Sequence, residues 1–215
     1  MIRLVVFLGN PGRKYEGNRH NAPWMFADVF SRSLAWQNKY RGLYACANGI
    51  HFLKPQTYMN LSGESILAAA SFYKINLNEI IIVHDEIELP LGTLSLKFSG
   101  GLGGHNGLRS MKACCGSADF WRLRIGVGRP DDRTPGKGGN PENNREAGIA
   151  DWVLSDFTAV ELEELVPVFN AAAELLTQVL TDEPERLLPE WAKKKVVTET
   201  DLMPFKSRTD HFSSF

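Results

Sequence analysis

The chain has 215 residues, of which 43% are hydrophobic, enough to bury the core of one domain. Its 24 basic and 25 acidic residues give a formal net charge of -1 at pH 7, which excludes the strongly basic class of general nucleic-acid binders. Any polyanionic partner must therefore meet a local patch of positive charge.

The N-terminal segment predicts a strand, a turn and a helix. The apolar run 2–8 is rich in branched residues and predicts a buried strand, which the sequence GNPG at 9–12 ends in a turn. From Pro23 to Leu34 apolar residues recur at helical spacing. Proline suits the first turn of a helix because its missing N–H would have no partner there.

A hairpin, a second helix and another buried strand are expected next. Residues 44–47 and 51–53 are strand-like and flank the dipeptide NG at 48–49, which is typical of tight hairpins. Ser62 is expected to cap the helix that follows. The fully apolar run 80–83 predicts a buried strand.

Two alternating segments and a capping box complete the predicted elements. Residues 93–98 and 122–127 alternate between apolar and polar, which predicts strands with one covered face. Thr158 and Glu161 have the spacing of a capping box, so we expect a long helix from there to about Leu180.

Strands and helices interleaved in this way predict an α/β fold. We expect a single domain whose twisted, mixed and mostly parallel central sheet is flanked by helices. Residues 1–190 should form this domain and residues 191–215 a flexible C-terminal extension. The segment 131–147, dense in Gly, Pro, Asn and charge, predicts a mobile loop.

Cysteine usage and the N-terminus indicate a soluble, cytoplasmic protein. Three cysteines, including the adjacent Cys114 and Cys115, form neither a C-x-x-C pair nor an even disulfide framework, so we expect reduced thiols. The first apolar run is too short for a signal peptide or a membrane span.

Several common catalytic motifs are missing from the sequence. It contains no phosphate-binding G-x-x-x-x-G-K-[ST] loop, no H-E-x-x-H and no G-x-S-x-G. The glycine-rich segment 99–108 fails the dinucleotide fingerprint because Asn106 takes the third glycine position. These absences argue against phosphate-loop enzymes, zincins and serine hydrolases of the α/β type.

Polar residues instead follow the predicted strands and the glycine-rich segment. Asn10 follows the first strand, His84 and Asp85 follow another, and His105 and Asn106 lie in the glycine segment. The carboxyl edge of an α/β sheet is where ligands bind. A histidine beside an aspartate and asparagines suits proton transfer from water, with the amides positioning the water and a developing oxyanion.

Five motifs in this order resemble those of the bacterial-type peptidyl-tRNA hydrolases. They are LGNPGRKYEGNRHNA, KPQTYMNLSGE, IIVHDEIELPLG, SGGLGGHNGLRS and FWRLRIGVGRP, within residues 1–180. The coincidence of five motifs is far more specific than any one of them. The resemblance implies hydrolysis of the ester that joins a peptide, or a blocked amino acid, to the 3′ end of tRNA, without metal or cofactor. It also implies a monomer that binds the acceptor end of peptidyl-tRNA and no membrane.

The resemblance assigns catalytic roles to four residues. His20 matches the general base that activates water, and Asp85 the carboxylate that orients this histidine. Asn10 matches the residue that senses the blocked amino group, and Asn106 the one that positions substrate and water. Positions that match substrate contacts of the family are Tyr15, Tyr58, Met59, Asn60, Gly104, His105, Lys97 and Arg124. The last two fall where the family clamps a phosphate.

Elementary electrostatics is consistent with these roles. His20 precedes a predicted helix N-terminus, whose partial positive charge disfavours the imidazolium. A neighbouring Asp85 would favour the imidazolium and fix which ring nitrogen faces water. We expect the two effects together to leave the ring able to accept a proton near neutral pH, with water as the nucleophile.

Other interpretations remain open at this point. Taken singly, Asn10 could serve a turn, His20 a helix entry and Asp85 a turn cap. A catalytically idle RNA-binding relative on the same fold is the main alternative function, and a phosphorylase-like enzyme a third. Retention of all four catalytic positions favours the enzyme, because a pure binder needs no base aimed at water.

The chain departs from the family pattern in several places. Leu102 replaces the first histidine of the glycine loop, and Pro23 stands where glycine is usual. The C-terminal extension carries three consecutive lysines at 193–195, unlike the short family ending. They could add phosphate affinity or form only a solvated tail, and we prefer the second interpretation.

Overall fold

A computed structural model describes residues 1–130 and 145–196 of the chain. Its strands are β1 (Leu4–Phe7), β2 (Gln37–Lys39), β3 (Gly42–Ala47), β4 (Ile50–Pro55), β5 (Ile80–Glu86), β6 (Thr93–Phe98), β7 (Trp121–Gly126) and β8 (Lys194–Lys195). The helices are α1 (Ala22–Phe30), α2 (Ser62–Tyr73), α3 (Asn106–Cys115), α4 (Arg145–Val153), α5 (Ala159–Thr181) and α6 (Pro184–Trp191). Within the described ranges, no helix combines the length and the apolar character needed to cross a bilayer.

The strands form one mixed sheet in the order β2-β3-β4-β1-β5-β7-β6-β8. The four central strands, β4, β1, β5 and β7, run parallel to one another. The outer pairs, β2-β3, β3-β4, β6-β7 and β6-β8, are antiparallel. The expected α/β class is confirmed, while the expected predominance of parallel pairs holds only at the centre. The hairpin joining β3 to β4 makes one flank antiparallel, and β6 runs against β7 on the other.

Helices cover the sheet from both sides and create two apolar cores. On one face α1 and α5 pack on the strands, with the Phe26 ring 6.0 Å from Phe7 and 5.8 Å from Phe169. On the other face α2 and α3 contribute the fully buried Ile66 and the almost fully buried Leu108. Full burial of such side chains stabilises a fold by about 1.5–3 kcal/mol each. The two layers hold the carboxyl ends of β1 and β5 side by side.

The apolar patterns located most strands correctly. β1 and β5 are buried along their apolar runs, and β6 spans the expected residues 93–98. The expected hairpin joins β3 to β4, with φ of 51° at Asn48 and 78° at Gly49. These positive angles are what a tight hairpin turn requires.

Helix boundaries were predicted less well. α1 ends at Phe30, one turn before Leu34. The expected cap at Ser62 is wrong, because a short 3-10 turn over Met59–Leu61 leads into α2 and Ser62 is already its first residue. Its hydroxyl is buried without a hydrogen-bond partner in the described structure.

The capping box at the start of α5 is confirmed. The Thr158 hydroxyl accepts from the Glu161 N–H at 3.3 Å, and the Glu161 carboxylate accepts from the Thr158 N–H at 2.7 Å. These bonds satisfy N–H groups that a helix start otherwise leaves free. α5 then continues through Pro167 to Thr181.

The packed chain continues beyond the expected boundary at residue 190. Trp191 is fully buried in the core shared with α1 and α5, and β8 pairs with β6 at the sheet edge. The predicted boundary lies too early, because residues 191–196 carry no apolar periodicity from which their packing could be predicted. Residues 131–144 of the expected loop 131–147, and residues 197–215, lie outside the described residues, and residues 145–147 begin α4.

Candidate active site

Asn10 is fixed where β1 ends. Its N–H donates to Asn21 Oδ1 at 2.9 Å, and Asn21 Nδ2 donates back to the Asn10 carbonyl at 2.9 Å. The Asn10 side-chain oxygen accepts from the Met59 N–H at 2.8 Å. Because this oxygen is occupied, the Asn10 side chain has its NH₂ group left to offer a ligand. Asn21 was missed as a positioning residue, although it directly follows His20 in the motif.

Asp85 and His20 form a buried pair beside Asn10. Asp85 lies near the carboxyl end of β5 and is 2% exposed, and His20 lies in a 3-10 turn just before α1 and is 7% exposed. His20 Nδ1 lies 2.8 Å from both carboxylate oxygens of Asp85. A carboxylate only accepts hydrogen bonds, so Nδ1 carries the proton in this pair. Nε2 of the neutral ring is then the atom with a free lone pair.

His105 is a second histidine on the same carboxylate. Its Nε2 lies 3.0 Å from Asp85 Oδ1, and its Nδ1 accepts from the Gly107 N–H at 3.1 Å at the start of α3. The neutral ring therefore carries its proton on Nε2 and donates it to Asp85. The family resemblance placed His105 among the substrate contacts, and the structure brings it against Asp85.

The two histidines keep Asp85 ionised. Burial by itself would raise the pKa of this carboxyl, but interaction with His20 and His105 outweighs burial and holds the pKa of Asp85 well below its usual range. A permanently charged Asp85 stabilises any positive charge that develops on the His20 ring.

Asn106 begins α3 at the end of the glycine loop. Its side chain is exposed and has no hydrogen-bond partner among the described residues. Arg122 holds this loop in place: it is 2% exposed and donates to the carbonyls of Ser99, Gly100 and Gly101. Arg122 was missed because its role depends on loop carbonyls about twenty residues earlier in the chain.

A cleft opens directly above His20. Its lining residues are Asn10, Tyr15, His20, Tyr58, Met59, Asn60, Asn106, Ala150, Val153 and Leu154. Seven of these were among the predicted site residues, and the last three form an apolar wall around the end of α4 that the sequence did not reveal. Tyr15 and Tyr58 meet edge to face, with ring centroids 6.5 Å apart, and Tyr58 is 55% exposed.

Arg19 connects the histidine turn to the α4–α5 segment. Its guanidinium is 3.8 Å from the Trp152 ring, donates to the Asp156 carbonyl at 2.6 Å and pairs with both oxygens of Glu161 at 2.6 and 2.8 Å. The residue is only 3% exposed. Because His20 follows directly, this contact set fixes the turn that carries His20 to the wall of the cleft.

Lys97 and Arg124 lie on one face of the β6-β7 pair, outside the cleft. Lys97 stands opposite Arg122, and Ser95 stands opposite Arg124. Arg124 donates to Ser95 Oγ at 2.7 Å and lies 3.4 Å from a Glu86 oxygen. The Lys97 amine has no hydrogen-bond or ion-pair partner in the described part of the chain. Burial, Arg124 and Arg122 lower the pKa of Lys97, and Glu86 partly opposes them.

Comparison with known proteins decides the family. The model of the family described as peptidyl-tRNA hydrolase matches residues 4–199. The chain is 44% identical to a peptidyl-tRNA hydrolase of Treponema pallidum over 209 residues, which cover 92% of this chain and 98% of the relative. The chain belongs to the peptidyl-tRNA hydrolase family. The family and enzyme class that the motifs indicated are therefore confirmed.

Further relatives agree with this assignment. A peptidyl-tRNA hydrolase of Azoarcus sp. is 51% identical over 137 residues, covering 61% of this chain and 63% of the relative. The crystal structure of a peptidyl-tRNA hydrolase from Acinetobacter baumannii superposes with a TM-score of 0.76 at 30% identity, covering 89% of this chain and 94% of that one. The α/β fold is thus the fold of the peptidyl-tRNA hydrolases.

The same three residues also offer ligand atoms for a metal ion. One atom each of His20, Asp85 and His105 lies within 4.8 Å of the others. A metal on His105 Nε2 would move the ring proton to Nδ1, which accepts from the Gly107 N–H at 3.1 Å. Two N–H groups would then face each other at the start of α3. The hydrogen bonds of this cluster suit a proton-transfer pair better than a metal.

Proposed function

We propose that His20 activates water to cleave the ester of peptidyl-tRNA. The observation that carries this proposal is the bond from His20 Nδ1 to Asp85, 2.8 Å long, in a ring that lines the cleft. This arrangement leaves Nε2 as the proton acceptor. As in other His-Asp pairs, the aspartate fixes the tautomer of the histidine, and here the histidine activates water in place of a serine nucleophile.

The reaction balances with these groups alone. Water attacks the ester carbonyl while His20 Nε2 takes one of its protons, and the carbonyl oxygen becomes an oxyanion. When the tetrahedral intermediate collapses, the bond to the terminal ribose oxygen breaks and His20 returns the proton to that oxygen. The products are a free tRNA and a carboxylic acid. Ionised Asp85 stabilises the imidazolium between the two steps.

Two asparagine amides are proposed to orient the substrate. The unpartnered Asn106 side chain at the start of α3 can donate to the ester oxygen or hold the attacking water. Asn10 has its side-chain oxygen bound to the Met59 N–H, so its NH₂ group faces the ligand. That donor suits the carbonyl of an N-acyl group and repels a free ammonium. An NH₂ donor at this place therefore favours N-blocked aminoacyl esters over esters with a free amino group.

The remaining predicted contacts are proposed to hold the acceptor end. Tyr15 and Tyr58 form an aromatic wall of the cleft, and such rings stack on unpaired bases. Asn60 lines the same cleft, and Gly104 is exposed in the glycine loop before Asn106. Lys97 and Arg124 lie farther away and are proposed to bind a phosphate of the tRNA backbone.

We also propose that the enzyme works as a cytoplasmic monomer without a cofactor. The proposed catalytic groups form a complete set within one chain, so the proposed reaction needs no residue from a second copy. The described cysteines, Cys46, Cys114 and Cys115, are free thiols, which supports a reducing compartment.

The direct test compares two esters. The purified protein is incubated with N-acetyl-aminoacyl-tRNA and with unblocked aminoacyl-tRNA, and tRNA binding is measured on the same samples. Release of tRNA from the blocked ester, with little from the unblocked one, is expected. Binding without cleavage of either ester would leave an RNA-binding relative and contradict the proposal.

Isotope labelling tests the nucleophile. In a single turnover in oxygen-18 water, direct attack places the label in the released carboxylate and leaves the protein unlabelled. A serine or cysteine acyl-enzyme would also put the label in the carboxylate, so the same turnover is quenched in acid, and an acyl group trapped on a protein side chain would overturn the role proposed for water.

A further inference from the structure

The three consecutive lysines at the C-terminus are fixed against the sheet. Lys194 and Lys195 form β8, which pairs antiparallel with Thr93 and Leu94 at the free edge of β6. The Val196 N–H donates to the Gly92 carbonyl at 2.7 Å and continues the attachment. The lysine run therefore does not behave as the solvated tail that the sequence suggested.

The pairing determines which side of the sheet each lysine faces. Residues directly opposite in an antiparallel pair point to the same face, and residues two apart in a strand share a face. Lys195 stands opposite Thr93, which shares its face with Lys97. Lys97 in turn lies on the face of Arg124. Lys195 is thus added to the face that carries the proposed phosphate clamp.

The middle lysine anchors the strand on the other face. Lys194 stands opposite the buried Leu94, with its amine 3.9 Å from the Trp191 ring centroid and 2.6 Å from Glu190 Oε1. Trp191 is fully buried. This anchor leaves Lys193 and Lys195 exposed on either side of it.

The apolar core under α2 and α3 does not extend to the part of the face that Lys195 joins. The core under α2 and α3 includes residues of β1, β3, β4 and β5, and none of β6 or β7 within the described ranges. The acidic side chain on this face of β5, β6 and β7 is Glu86, and it is already paired with Arg124. Positive charge therefore accumulates here although the whole chain has a formal net charge of -1.

We propose that Lys195, with the neighbouring Lys193, extends the phosphate clamp of Lys97 and Arg124 along the backbone of the tRNA stem. This inference rests on the proposed function, because it concerns the same substrate. β8 lies three strands from β5, or roughly 14 Å at the usual spacing of about 4.8 Å. A stem whose 3′ end reaches His20 can therefore span this strip, and the ammonium groups act by releasing counterions.

The test replaces both exposed lysines. The variant Lys193→Gln/Lys195→Gln removes two charges and keeps the main-chain bonds of β8. Its matched control, Arg32→Gln/Lys39→Gln, removes two exposed charges near the opposite edge of the sheet. For each protein, tRNA affinity is measured from low to moderate salt, and cleavage is measured on N-acetyl-aminoacyl-tRNA and on an N-acetyl-aminoacyl CCA trinucleotide.

The proposal predicts a change in salt dependence. The slope of log affinity against log salt should become shallower by about 1 for each lost phosphate contact, and affinity near 0.1 M salt should fall about 3- to 10-fold. KM for tRNA should rise with kcat retained, and the trinucleotide should be cleaved as by wild type. The control variant should match wild type throughout.

Two outcomes separate the inference from the proposed function. An unchanged salt slope in an active Lys193→Gln/Lys195→Gln protein, or an equal change in the control variant, would overturn the role of β8 and leave the hydrolase intact. A wild type that cleaves neither substrate would overturn the proposed function itself.

Discussion

His105 and His20 contact the same oxygen of Asp85 from two different segments of the chain. Oδ1 lies 2.8 Å from His20 Nδ1 and 3.0 Å from His105 Nε2, and the two rings are 4.8 Å apart. One carboxylate is thus held by two N–H donors, one from the turn before α1 and one from the start of α3. His20, the proposed base, and the start of α3, where Asn106 lies, are positioned through the same buried charge.

Removal of His105 should therefore loosen Asp85 without removing the base. For His105→Ala we expect kcat to fall roughly tenfold with KM little changed, and stability to fall by about 1.5–3 kcal/mol because a bond to a charged group is lost. His105→Gln, whose amide can still donate, should recover much of kcat. An equal loss in both variants would contradict a positioning role.

The buried His84 should make the protein sensitive to mild acid. Its ring is 1% exposed and donates from Nδ1 to the Asp85 carbonyl at 2.7 Å. Burial, followed by interaction with His105, lowers the pKa of His84 well below its usual value, and Asp85 opposes this only partly. The unfolded chain therefore binds a proton near pH 6.5 that the folded chain does not bind.

The sign of this effect follows from linkage. The stability from neutral His84 is fully present above about pH 6.5 and declines below it, by at most about 1.4 kcal/mol per pH unit. His84→Asn, which keeps a donor but cannot titrate, should reduce this decline between pH 6.5 and 5. Urea unfolding at several pH values measures it, and parallel curves for the two proteins would refute the prediction.

The contact between Arg19 and Trp152 makes the turn before His20 dependent on a distant segment. Lysine at position 19 would lose both the stacking and the two-pronged bond to Glu161. We expect Arg19→Lys to lower stability by about 1–3 kcal/mol and to reduce kcat more than it raises KM. The control is Arg41→Lys, since Arg41 is an exposed partner of Glu64. Equal effects of both changes would disprove the coupling.

Gly63 sets the distance between α2 and α3. A Cβ there would lie 2.6 Å from the Ser110 carbonyl carbon and also touch its oxygen, both backbone atoms. We expect Gly63→Ala to cost about 1–3 kcal/mol, because α3 must shift away from α2 and carry Asn106 with it. Gly101→Ala is the control, since nothing lies within 4 Å of its Cβ position. Thermal unfolding and kcat of both variants measure the difference.

Local sequence signals sufficed for the centre of the fold and for the residue proposed as the base. The apolar runs of β1 and β5 and the capping box at Thr158 need only their own neighbours, and each was predicted. β2 consists of the exposed polar residues 37–39, which carry no strand pattern. β8 follows Trp191, which is buried against a distant core, so the position of β8 depends on tertiary packing.

The residues that hold the site in place could not be predicted from the sequence, because their positions also depend on tertiary packing. The motifs gave His20, Asp85, Asn10 and Asn106, and the structure brings all four to one edge of the sheet. Arg19 was a motif residue without an assigned task, because its partners lie more than 130 residues away. The apolar cleft wall around the end of α4 also comes from that distant part of the chain.

The most direct test of the account is single-turnover cleavage of N-acetyl-aminoacyl-tRNA by His20→Ala, with tRNA binding measured on the same preparation and added imidazole as a rescue. We predict a loss of about 10²- to 10⁴-fold in cleavage, binding within a few-fold of wild type and partial recovery with imidazole. Cleavage near the wild-type rate in a variant that binds tRNA normally would contradict His20 as the base.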